Sequence, residues 1–406
     1  MTKKTRYLTA KEAADVLDIS LSTLYAYVSR GLIRSEAGLG SKRDRLYYAE
    51  DVKRLQNRKE ARRNPDRVAE KVLRSGAPVL ESAITLITDD CVYYRGQNAL
   101  RLATSESIER VAALIWTGDL NANIPSLKNL DLRLSDRAQM VLGGVQTLKP
   151  VERFMAVLPV AGAEDLAAYD LRTEAVVQTG GRILRLLVQV ATQGQMGNSI
   201  AETLQQAWVP DLPEAIDLIN MVLILYADHE LNTSAFTARC AASAGATPYG
   251  AVCAGLAALQ GYKHGAASER TELLFREAEM RGNVEQVVAD RLRLGEHISG
   301  FGHAVYRDVD PRAKVLLDCI AQHFPDSPHL ALAQEIIEVT QRLTTVHYNI
   351  DLALTTLVRV LGLPDGSAMA LFALGRVAGW IGHTIEQYEL DQLIRPRARY
   401  VGVQPV

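Results

Sequence analysis

The sequence has few cysteines and no long run of apolar residues. Its four cysteines, Cys91, Cys240, Cys253 and Cys319, lie far apart and form no Cys-x-x-Cys pair. Such spacing indicates neither a disulfide framework nor a zinc site, so we expect reduced thiols and no metal. No apolar run approaches the roughly 18 residues that a membrane-spanning helix needs, and the basic N-terminus lacks the apolar core of a signal peptide. These absences favour a cytoplasmic protein without a membrane segment.

Aromatic residues are also scarce, at 6% of the 406 residues, whereas 48% of the residues are hydrophobic. Stretches of Ala, Leu and Val carry the apolar content, which favours helices over strands. A chain of this length exceeds one ordinary domain and should divide into two or three units, each with its own core. Beyond residue 76 the sequence has no P-loop and no GxGxxG motif after a strand. We therefore expect a mainly α protein.

The net charge of -2 conceals an asymmetry along the chain. Residues 1–67 hold 16 Lys and Arg against 9 Asp and Glu, which gives a charge of +7. The remaining residues hold 29 basic and 38 acidic side chains, which gives -9. Such a division is typical of a chain whose N-terminal part binds a polyanion and whose remainder has a different function. We call residues 1–67 the head and the remaining residues the body.

The head begins with the signature of a capped helix. Thr9 can accept from the free amides of the first turn, and Glu12 lies three residues later, as in a capping box. We expect the helix to extend to Leu17. Its predicted inner face consists of Ala13, Val16 and Leu17.

Further short elements follow this helix. Ser20 or Ser22 can cap a second helix, which stops near Gly31. The predicted elements are a helix over 23–28, a Gly-rich basic turn over 38–45, a strand over 46–48 and a helix over 49–55. This order resembles the winged helix-turn-helix of the excisionase and MerR type. We assign residues 1–58 to this domain and 59–76 to a charged linker.

The resemblance implies DNA binding by the head. Side chains of the second helix would enter a major groove, and those of the wing would hold phosphates. The implied residues are Ser22, Thr23, Tyr25 and Tyr27 in the helix and Lys42, Arg43 and Arg45 in the wing. The alternative is that these helices dock on the body or on a partner protein, with the basic residues forming a solvated surface.

The body contains four segments with the chemistry of a carboxylate-binding enzyme. Glycines before a histidine let the backbone and the imidazole approach a ligand closely, and an arginine can hold a carboxylate through two hydrogen bonds. The segments are 228–232 with His229, 261–265 with His264, 300–312 with His303 and Arg312, and 349–351 with Asp351. Together these segments resemble the active site of the citrate synthase family, and the resemblance extends from about residue 77 to the C-terminus.

That resemblance implies a two-domain, all-helical citrate synthase fold. The large domain would comprise residues 77–262 and 365–406, and the small domain residues 263–364, with the substrate in the cleft between them. A short β segment is predicted near residues 77–85 and 93–96. The resemblance implies no cofactor. Coenzyme A would enter the site as part of a substrate, acetyl-CoA or another short acyl-CoA.

Three catalytic residues of the family and one substrate-binding histidine match positions of this sequence. His264 matches the histidine that donates a hydrogen bond to the thioester carbonyl, and Asp351 matches the base that removes the methyl proton. Enolisation needs both groups, because an unassisted thioester α-proton is too weakly acidic for a carboxylate. His303 matches the residue that assists at the oxaloacetate carbonyl, and His229 matches another histidine that contacts oxaloacetate.

Three arginines match those that bind the two carboxylates of oxaloacetate. Arg312 and Arg376 would act within the chain, whereas Arg395 matches an arginine that reaches into the site of the neighbouring subunit. Arginine suits this task because its planar guanidinium stays charged and pairs with a carboxylate through two bonds. A trans-acting Arg395 would require a homodimer.

One segment departs from the family's pattern. Where the family has Pro-x-His-Gly-Gly-Ala-Asn, residues 262–268 read Tyr-Lys-His-Gly-Ala-Ala-Ser. Tyr262 replaces the proline, Ala266 adds a methyl group where glycine is usual, and Lys263 places a new charge beside the site.

Three functions remain open from the sequence. The first is a citrate synthase that condenses acetyl-CoA with oxaloacetate, with a 2-methylcitrate synthase that uses propionyl-CoA as its close alternative. The second is a DNA-binding regulator whose degenerate synthase body senses oxaloacetate, citrate or acyl-CoA. In the third, the head stabilises a dimer or docks a protein. His264, His303 and Asp351 favour the enzyme, because a sensor has no evident need for a general base.

Overall fold

The computed structural model describes residues 7–37, 45–49, 51–53, 55, 80–88, 90–125, 134–195 and 197–404. The chain divides into two compact units, residues 1–81 and residues 82–406. The predicted linker over 59–76 lies outside the described residues.

The first unit combines short helices with a three-stranded antiparallel sheet in the order β1-β3-β2. Residues 49, 51–53 and 55 are helical, as predicted. The capping box is present, because Glu12 N donates to Thr9 Oγ1 at 3.3 Å and Thr9 N donates to Glu12 Oε2 at 2.8 Å. The elements are β1 Tyr7–Leu8, α1 Ala10–Leu17, α2 Leu21–Ser29, β2 Ser35–Ala37 and β3 Arg45–Tyr48.

The core of this unit corrects one detail of the predicted helix face. Ala13 and Leu17 are buried as expected, but Val16 is 39% exposed and Ala14 takes its place in the core. This difference follows from helical geometry, since residues 13, 14 and 17 share one side of the helix while residue 16 faces solvent. The rest of the core comes from α2, the sheet and the residues after it: Leu24, Ile33, Tyr47 and Val52.

The second unit starts with a small antiparallel sheet and continues as helices. Its strands are β4 Thr85–Ile87, β5 Val92–Tyr94 and β6 Gln97–Asn98, in the order β4-β5-β6. The helices are α3 Ala99–Ser105, α4 Ile108–Thr117, α5 Asp136–Gly144, α6 Pro150–Glu164, α7 Thr173–Ala191, α8 Ile200–Trp208, α9 Ala215–Leu225, α10 Thr233–Ser243, α11 Pro248–Leu259, α12 Ala267–Arg281, α13 Val284–Arg293, α14 Pro311–His323, α15 Pro328–Leu343, α16 Ile350–Leu361 and α17 Ser367–Leu390.

Helix α17 lies in the middle of the core of this unit. Its glycines let other backbone segments approach, and a Cβ at Gly375 would come within 2.5 Å of Leu223 O. Gly379 N donates to Ala227 O at 2.9 Å, which places the loop after α9 directly on α17. Within the described ranges α17 is the one helix long and apolar enough to cross a membrane, and 94% of its apolar window is buried inside the protein. Burial to this extent is typical of a helix in the core of a folded protein.

A second hydrophobic cluster lies beside the main one. It is formed by residues of α12, α13, α15 and the start of α16, including Phe275, Val288, Ile336 and Leu352. These residues fall inside the segment 263–364 predicted as a small domain. The boundaries of the large and small domains stay a prediction.

Candidate active site

The loop between α9 and α10 carries His229 on a rigid support. Asp228, just before it, is fully buried, accepts from Thr85 Oγ1 at 2.5 Å and lies 3.2 Å from His383 Nε2. Tyr94 adds a hydrogen bond to Asp228 O at 3.1 Å. This anchoring holds the next residue in place, and His229 is only 8% exposed.

His229 and His303 lie edge to face, with ring centroids 5.2 Å apart. His229 Nε2 is 3.0 Å from the hydroxyl of Tyr306. Burial and the nearby Arg312 charge hold the pKa of His229 well below its ordinary value. The same two causes lower the pKa of His303 to about 4. Both histidines are therefore neutral at physiological pH.

The glycines around His303 tie its loop to the start of α16. Gly300 and Gly302 have φ angles of 84° and 79°, which glycine adopts without strain. Asn349 N donates to Gly300 O at 2.9 Å, and Asn349 Nδ2 donates to Gly302 O at 2.9 Å. The loop that bears His303 and the helix that bears Asp351 are thus held together.

The backbone also fixes the tautomer of His303. The amides of Val305 and Tyr306 both donate to His303 Nδ1, at 3.0 and 3.3 Å. A ring nitrogen that accepts hydrogen bonds carries no proton, so the proton of this neutral imidazole lies on Nε2. His303 can therefore donate a hydrogen bond from Nε2.

Arg312 is buried and paired with Asp310. Its Nε and Nη2 donate to the two Asp310 carboxylate oxygens at 3.0 and 2.8 Å. Burial opposes the charge, but the Asp310 carboxylate keeps the pKa of Arg312 above its ordinary value. Nη1 makes no hydrogen bond with the described residues. Arg312 therefore retains a full positive charge with part of its guanidinium open to an anion.

Arg376 is the second buried cation. Its Nε donates to Tyr226 O at 2.8 Å, and its guanidinium carbon lies 4.9 Å from the centre of the Phe372 ring. Nη1 is buried and has no hydrogen-bond partner among the described residues. Burial lowers the pKa of Arg376 below its ordinary value. A buried donor without a partner is costly, and an anion at this position would satisfy it.

Asp351 lies in the first turn of α16. Asn349 caps the helix by accepting from Asp351 N at 3.0 Å. The Tyr226 hydroxyl donates to Asp351 Oδ1 at 3.4 Å. Burial raises the pKa of Asp351 to about 6, and Asp310 adds to the shift, whereas Arg312, Tyr226 and Arg376 oppose it. A carboxyl group with this pKa is well matched to proton abstraction near neutral pH.

His264 approaches the same region from the loop before α12. Its Nε2 lies 2.9 Å from Ser234 Oγ, and its ring meets the Phe372 ring edge-on at 5.7 Å. Burial, with a smaller effect of Arg376, lowers the pKa of His264 to about 4. Gly265 is required beside it, because a Cβ there would come within 2.6 Å of Leu259 O. His264 is therefore a neutral imidazole on a tightly packed turn.

Six of the seven residues predicted for substrate and catalysis lie in two contact groups, which the hydrogen bonds from Asn349 to the His303 loop hold together. Phe372 lies against His264 and Arg376, Tyr226 joins Arg376 to Asp351, and Tyr306 lies against both other histidines and Arg312. Arg395 is exposed, and no hydrogen bond or ion pair joins it to these six within the described part of the chain. Its role across subunits stays a prediction.

Five further residues of the site were not predicted from the sequence. They contact the predicted residues through side-chain groups: Tyr226, Ser234, Tyr306, Phe372 and Asp310. Asp310 could have been found, since it precedes Arg312 by two residues and caps α14. Tyr226 could not, because 125 residues separate it from Asp351.

The residues predicted for DNA binding are partly described. Ser22 and Tyr25 are exposed, while Thr23 and Tyr27 are half-buried. Ser20, the N-cap of α2, lies 2.8 Å from the Ser22 hydroxyl and 2.9 Å from that of Thr23. Arg45 is exposed and donates to Ser35 Oγ at 3.2 Å. Lys42 and Arg43 lie outside the described residues.

The fold and the site define a helical protein in which two buried arginines suited to a carboxylate anion lie near a carboxyl base and three neutral histidines. Residues 73–397 match the family model of the citrate synthase C-terminal domain, and residues 7–60 match that of a helix-turn-helix domain. The chain belongs to the citrate synthase family. It is a transferase-type enzyme that condenses an acyl-CoA with oxaloacetate.

Known proteins resemble almost the whole body. Citrate synthase 2 of Bacillus subtilis is 28% identical over 80% of this chain and 94% of its own length. A 2-methylcitrate synthase of Shewanella oneidensis is 33% identical over 46% of this chain and 51% of its own. The crystal structure of citrate synthase from Thermotoga maritima has a TM-score of 0.71 and 27% identity, and covers 83% of this chain and 97% of its own.

A ternary complex of the Thermoplasma acidophilum citrate synthase with carboxymethyl coenzyme A and oxaloacetate is also similar. Its TM-score is 0.72 and its identity 25%, over 83% of this chain and 97% of its own. These matches confirm the predicted fold: a mainly α citrate synthase body preceded by a helix-turn-helix domain.

Proposed function

We propose that this protein is a citrate synthase, which condenses acetyl-CoA with oxaloacetate and water to give citrate and CoA. The observation that carries the proposal is the position of Asp351. Its carboxyl group, with a pKa of about 6, lies in contact with Tyr226, whose carbonyl holds the buried Arg376. A base beside a cationic anion-binding site is the arrangement that this condensation needs.

Oxaloacetate binding comes first in this mechanism. The charges of Arg312 and Arg376 hold its two carboxylates, and the free Nη1 atoms of both residues supply donors. His303, with its proton on Nε2, donates to the ketone oxygen. Because both His303 and His229 are neutral, they add hydrogen bonds without adding further positive charge beside the two arginines.

Enolisation of acetyl-CoA is the second step. Asp351 takes a proton from the methyl group, and the thioester oxygen receives a hydrogen bond from His264. Ser234 occupies His264 Nε2, so Nδ1 is the nitrogen that remains for the substrate. Nδ1 carries the proton only if the Ser234 hydroxyl donates to Nε2. That hydroxyl also reaches Asn232 Oδ1 at 2.8 Å, so the two acceptors compete for its proton.

Carbon–carbon bond formation is the third step. The enolate carbon attacks the ketone carbon of oxaloacetate, the C=O π bond opens, and the new alkoxide oxygen is stabilised by the hydrogen bond from His303 Nε2. The alkoxide takes up one proton in place of the one that Asp351 removed from the methyl group, so that neutral His303 keeps its own proton. The product is citryl-CoA. Water then cleaves its thioester, which releases CoA and citrate. Exclusion of water until the bond has formed would protect acetyl-CoA from hydrolysis.

Release of CoA thiol tests the proposal. Purified protein with oxaloacetate should release thiol from acetyl-CoA, and Asp351→Ala should abolish turnover while oxaloacetate binding remains, because the arginines are unchanged. Near-normal turnover by Asp351→Ala would refute the mechanism. No turnover with measurable oxaloacetate or CoA binding would favour a ligand-sensing regulator.

Propionyl-CoA is the alternative acyl donor, which would make the protein a 2-methylcitrate synthase. The relative from Shewanella oneidensis that bears this name supports it. The two donors differ by one methylene group, and pockets discriminate at that scale by only about 1–3 kcal/mol. Parallel assays with acetyl-CoA and propionyl-CoA distinguish a citrate synthase from a 2-methylcitrate synthase. The donor with the higher kcat/KM identifies the activity.

DNA binding is the second function proposed, and the head supports it. Its helix-turn-helix match covers residues 7–60, and α2 exposes Ser22 and Tyr25. Affinity should fall steeply with salt, because phosphate contacts release counterions. Tyr25→Ala and Arg45→Ala should weaken binding to genomic DNA fragments, whereas Arg137→Ala, which removes one exposed charge from the other unit, should not. Loss of dimerisation on removing residues 1–67, together with no DNA affinity in the intact protein, would instead favour a docking role.

A homodimer is also proposed, with Arg395 acting in the neighbouring site. Residues 392–404 contain no helix or strand and expose Leu393, Tyr400, Val401 and Val403. An exposed apolar segment of this kind is suited to burial against a second chain. Mixing Arg395→Ala with Asp351→Ala protein should restore activity if Arg395 acts across subunits, because one site of each mixed dimer then has Asp351 from one chain and Arg395 from the other. A cytoplasmic location and independence of any cofactor or metal remain expectations.

A further inference from the structure

Tyr226 occupies a position that the mechanism above leaves without a role. It is 1% exposed and forms the C-cap of α9, so its backbone and ring are fixed by the core. Its ring lies on Phe372 with centroids 4.3 Å apart. Its hydroxyl donates to Asp351 Oδ1 at 3.4 Å, and its carbonyl accepts from Arg376 Nε at 2.8 Å. One residue therefore touches both the base and an oxaloacetate-binding arginine.

We propose that Tyr226 is the positioning residue of the catalytic base: its hydroxyl holds Oδ1 of Asp351 so that Oδ2 faces the acyl-CoA. The inference rests on the proposed function. Within the described residues Oδ2 of Asp351 makes no hydrogen bond. A carboxylate held at one oxygen presents the other in a defined direction, and such orientation is a large part of catalytic efficiency.

The hydroxyl also affects the proton affinity of the base. Burial of Asp351 favours its neutral form, and a hydrogen bond from Tyr226 favours the carboxylate that must accept the substrate proton. The charged and titratable groups around Asp351 are Asp310 and Arg312 at the start of α14, Arg376 on α17 and Tyr226 itself. Tyr226 stays neutral, because burial raises its own pKa well above the ordinary value.

The substitution Tyr226→Phe separates these effects from simple packing. Phenylalanine keeps the ring on Phe372 and the carbonyl that holds Arg376, and removes only the hydroxyl. We expect kcat to fall by about ten-fold, as for loss of a hydrogen bond to a charged group. The acid limb of the kcat/KM profile should move upward by about one pH unit from its midpoint near 6. The KM for oxaloacetate should stay within about two-fold, since both arginines keep their contacts.

Tyr249→Phe is the matched control. Tyr249 is also a buried tyrosine, and its hydroxyl donates to a carboxylate oxygen, Asp165 Oδ2, at 3.1 Å. Neither residue is assigned to the site. This variant should lose stability without any movement of the acid limb. An unchanged midpoint in Tyr226→Phe, or an equal movement in both variants, would overturn the proposal.

A second variant keeps the test decisive if Tyr226→Phe does not fold. Incorporation of 3-fluorotyrosine at position 226 keeps the hydroxyl and makes it a stronger donor, so the acid limb should move to lower pH. A movement to higher pH, or none, would overturn the proposal. Asp351→Ala separates the two claims: turnover by that variant would refute the proposed mechanism, whereas an inactive Asp351→Ala with an unmoved Tyr226→Phe profile would refute only the role of Tyr226.

Discussion

Asp310 and Arg312 form a bidentate ion pair inside the protein although only one residue separates them. The guanidinium donates to both carboxylate oxygens, and both side chains are almost completely buried, at 0% and 3% exposure. Asp310 Oδ2 also accepts from Ile350 N at 3.3 Å. One carboxylate thus holds a substrate-binding arginine against the start of the helix that bears the base.

Asp310→Asn should therefore affect stability and oxaloacetate binding together. The variant leaves the buried Arg312 charge without its counter-ion, which costs on the order of 3 kcal/mol of unfolding free energy. The KM for oxaloacetate should rise, since Arg312 loses the contact that fixes its direction. Denaturant unfolding and steady-state kinetics measure the two effects.

The chain offers a control with the same spacing at its surface. Asp170 and Arg172 also form a bidentate pair, but their side chains are 34% and 81% exposed. Asp170→Asn should hardly change the unfolding free energy, because solvent screens exposed pairs. Equal losses in the two variants would show that burial does not govern the Asp310 pair.

Ser234→Ala tests the control of the His264 tautomer. Without the hydroxyl, His264 Nε2 loses the only partner that can donate to it among the described residues and so favour the proton on Nδ1. We expect kcat with acetyl-CoA to fall by about 100-fold, the lower end of the range seen when one donor to a developing oxyanion is lost. Oxaloacetate binding, followed by calorimetry, should be unchanged. Thr237→Val is the control, because its hydroxyl makes a bond to Thr233 O on the same helix and should not alter kcat. Wild-type kcat in Ser234→Ala would contradict the assigned role.

Much of the site could be predicted from short segments of sequence. His229, His264, His303 and Asp351 each lie in a local pattern, and the glycines beside two of them have the conformations that such patterns require. The capping box of Thr9 and the cap of α2 at Ser20, one of the two serines named for it, were predicted from the same kind of local rule.

The supporting residues could not be predicted in this way. Tyr306 contacts His229 across 77 residues and Tyr226 contacts Asp351 across 125, so their pairing depends on how α9, α14 and α16 pack. The prediction for Val16 was wrong for a related reason. A short helix with several small residues has more than one apolar face, and tertiary packing selects which one is buried.

Gly375→Ala should show how closely α9 approaches α17. The added Cβ would meet Leu223 O at 2.5 Å, and a backbone atom cannot move aside as a flexible side chain can. The expected loss is about 2 kcal/mol of unfolding free energy, as for an overpacked core. Gly143→Ala on the exposed end of α5 has nothing within 4 Å of the new Cβ and should stabilise by about 0.5 kcal/mol. Thermal and denaturant unfolding compare the two variants, and a neutral Gly375→Ala would contradict the close approach.

Asp351→Asn should be inactive yet more stable than the wild type above pH 6. The pKa of Asp351 is raised to about 6, against about 4 in the unfolded chain, so the folded protein binds the proton more tightly. Ionisation of this buried group therefore destabilises the fold progressively between about pH 4 and pH 6, and the penalty is complete above that range. Asparagine carries no charge, so the Asp351→Asn variant does not undergo this loss of stability.

The size and the pH window of this gain are both measurable. A shift of about two pKa units corresponds to on the order of 2–3 kcal/mol, and the partial exposure of Asp351 makes the lower value the better expectation. Urea unfolding at pH 4 and at pH 8 should show no gain at the lower pH and the full gain at the higher one. An equal gain at both would mean that removal of the charge is not its cause. A gain of stability confined to high pH would show that ionised Asp351 destabilises the fold. The burial that causes this loss also raises the pKa of Asp351 to a value suited to a catalytic base.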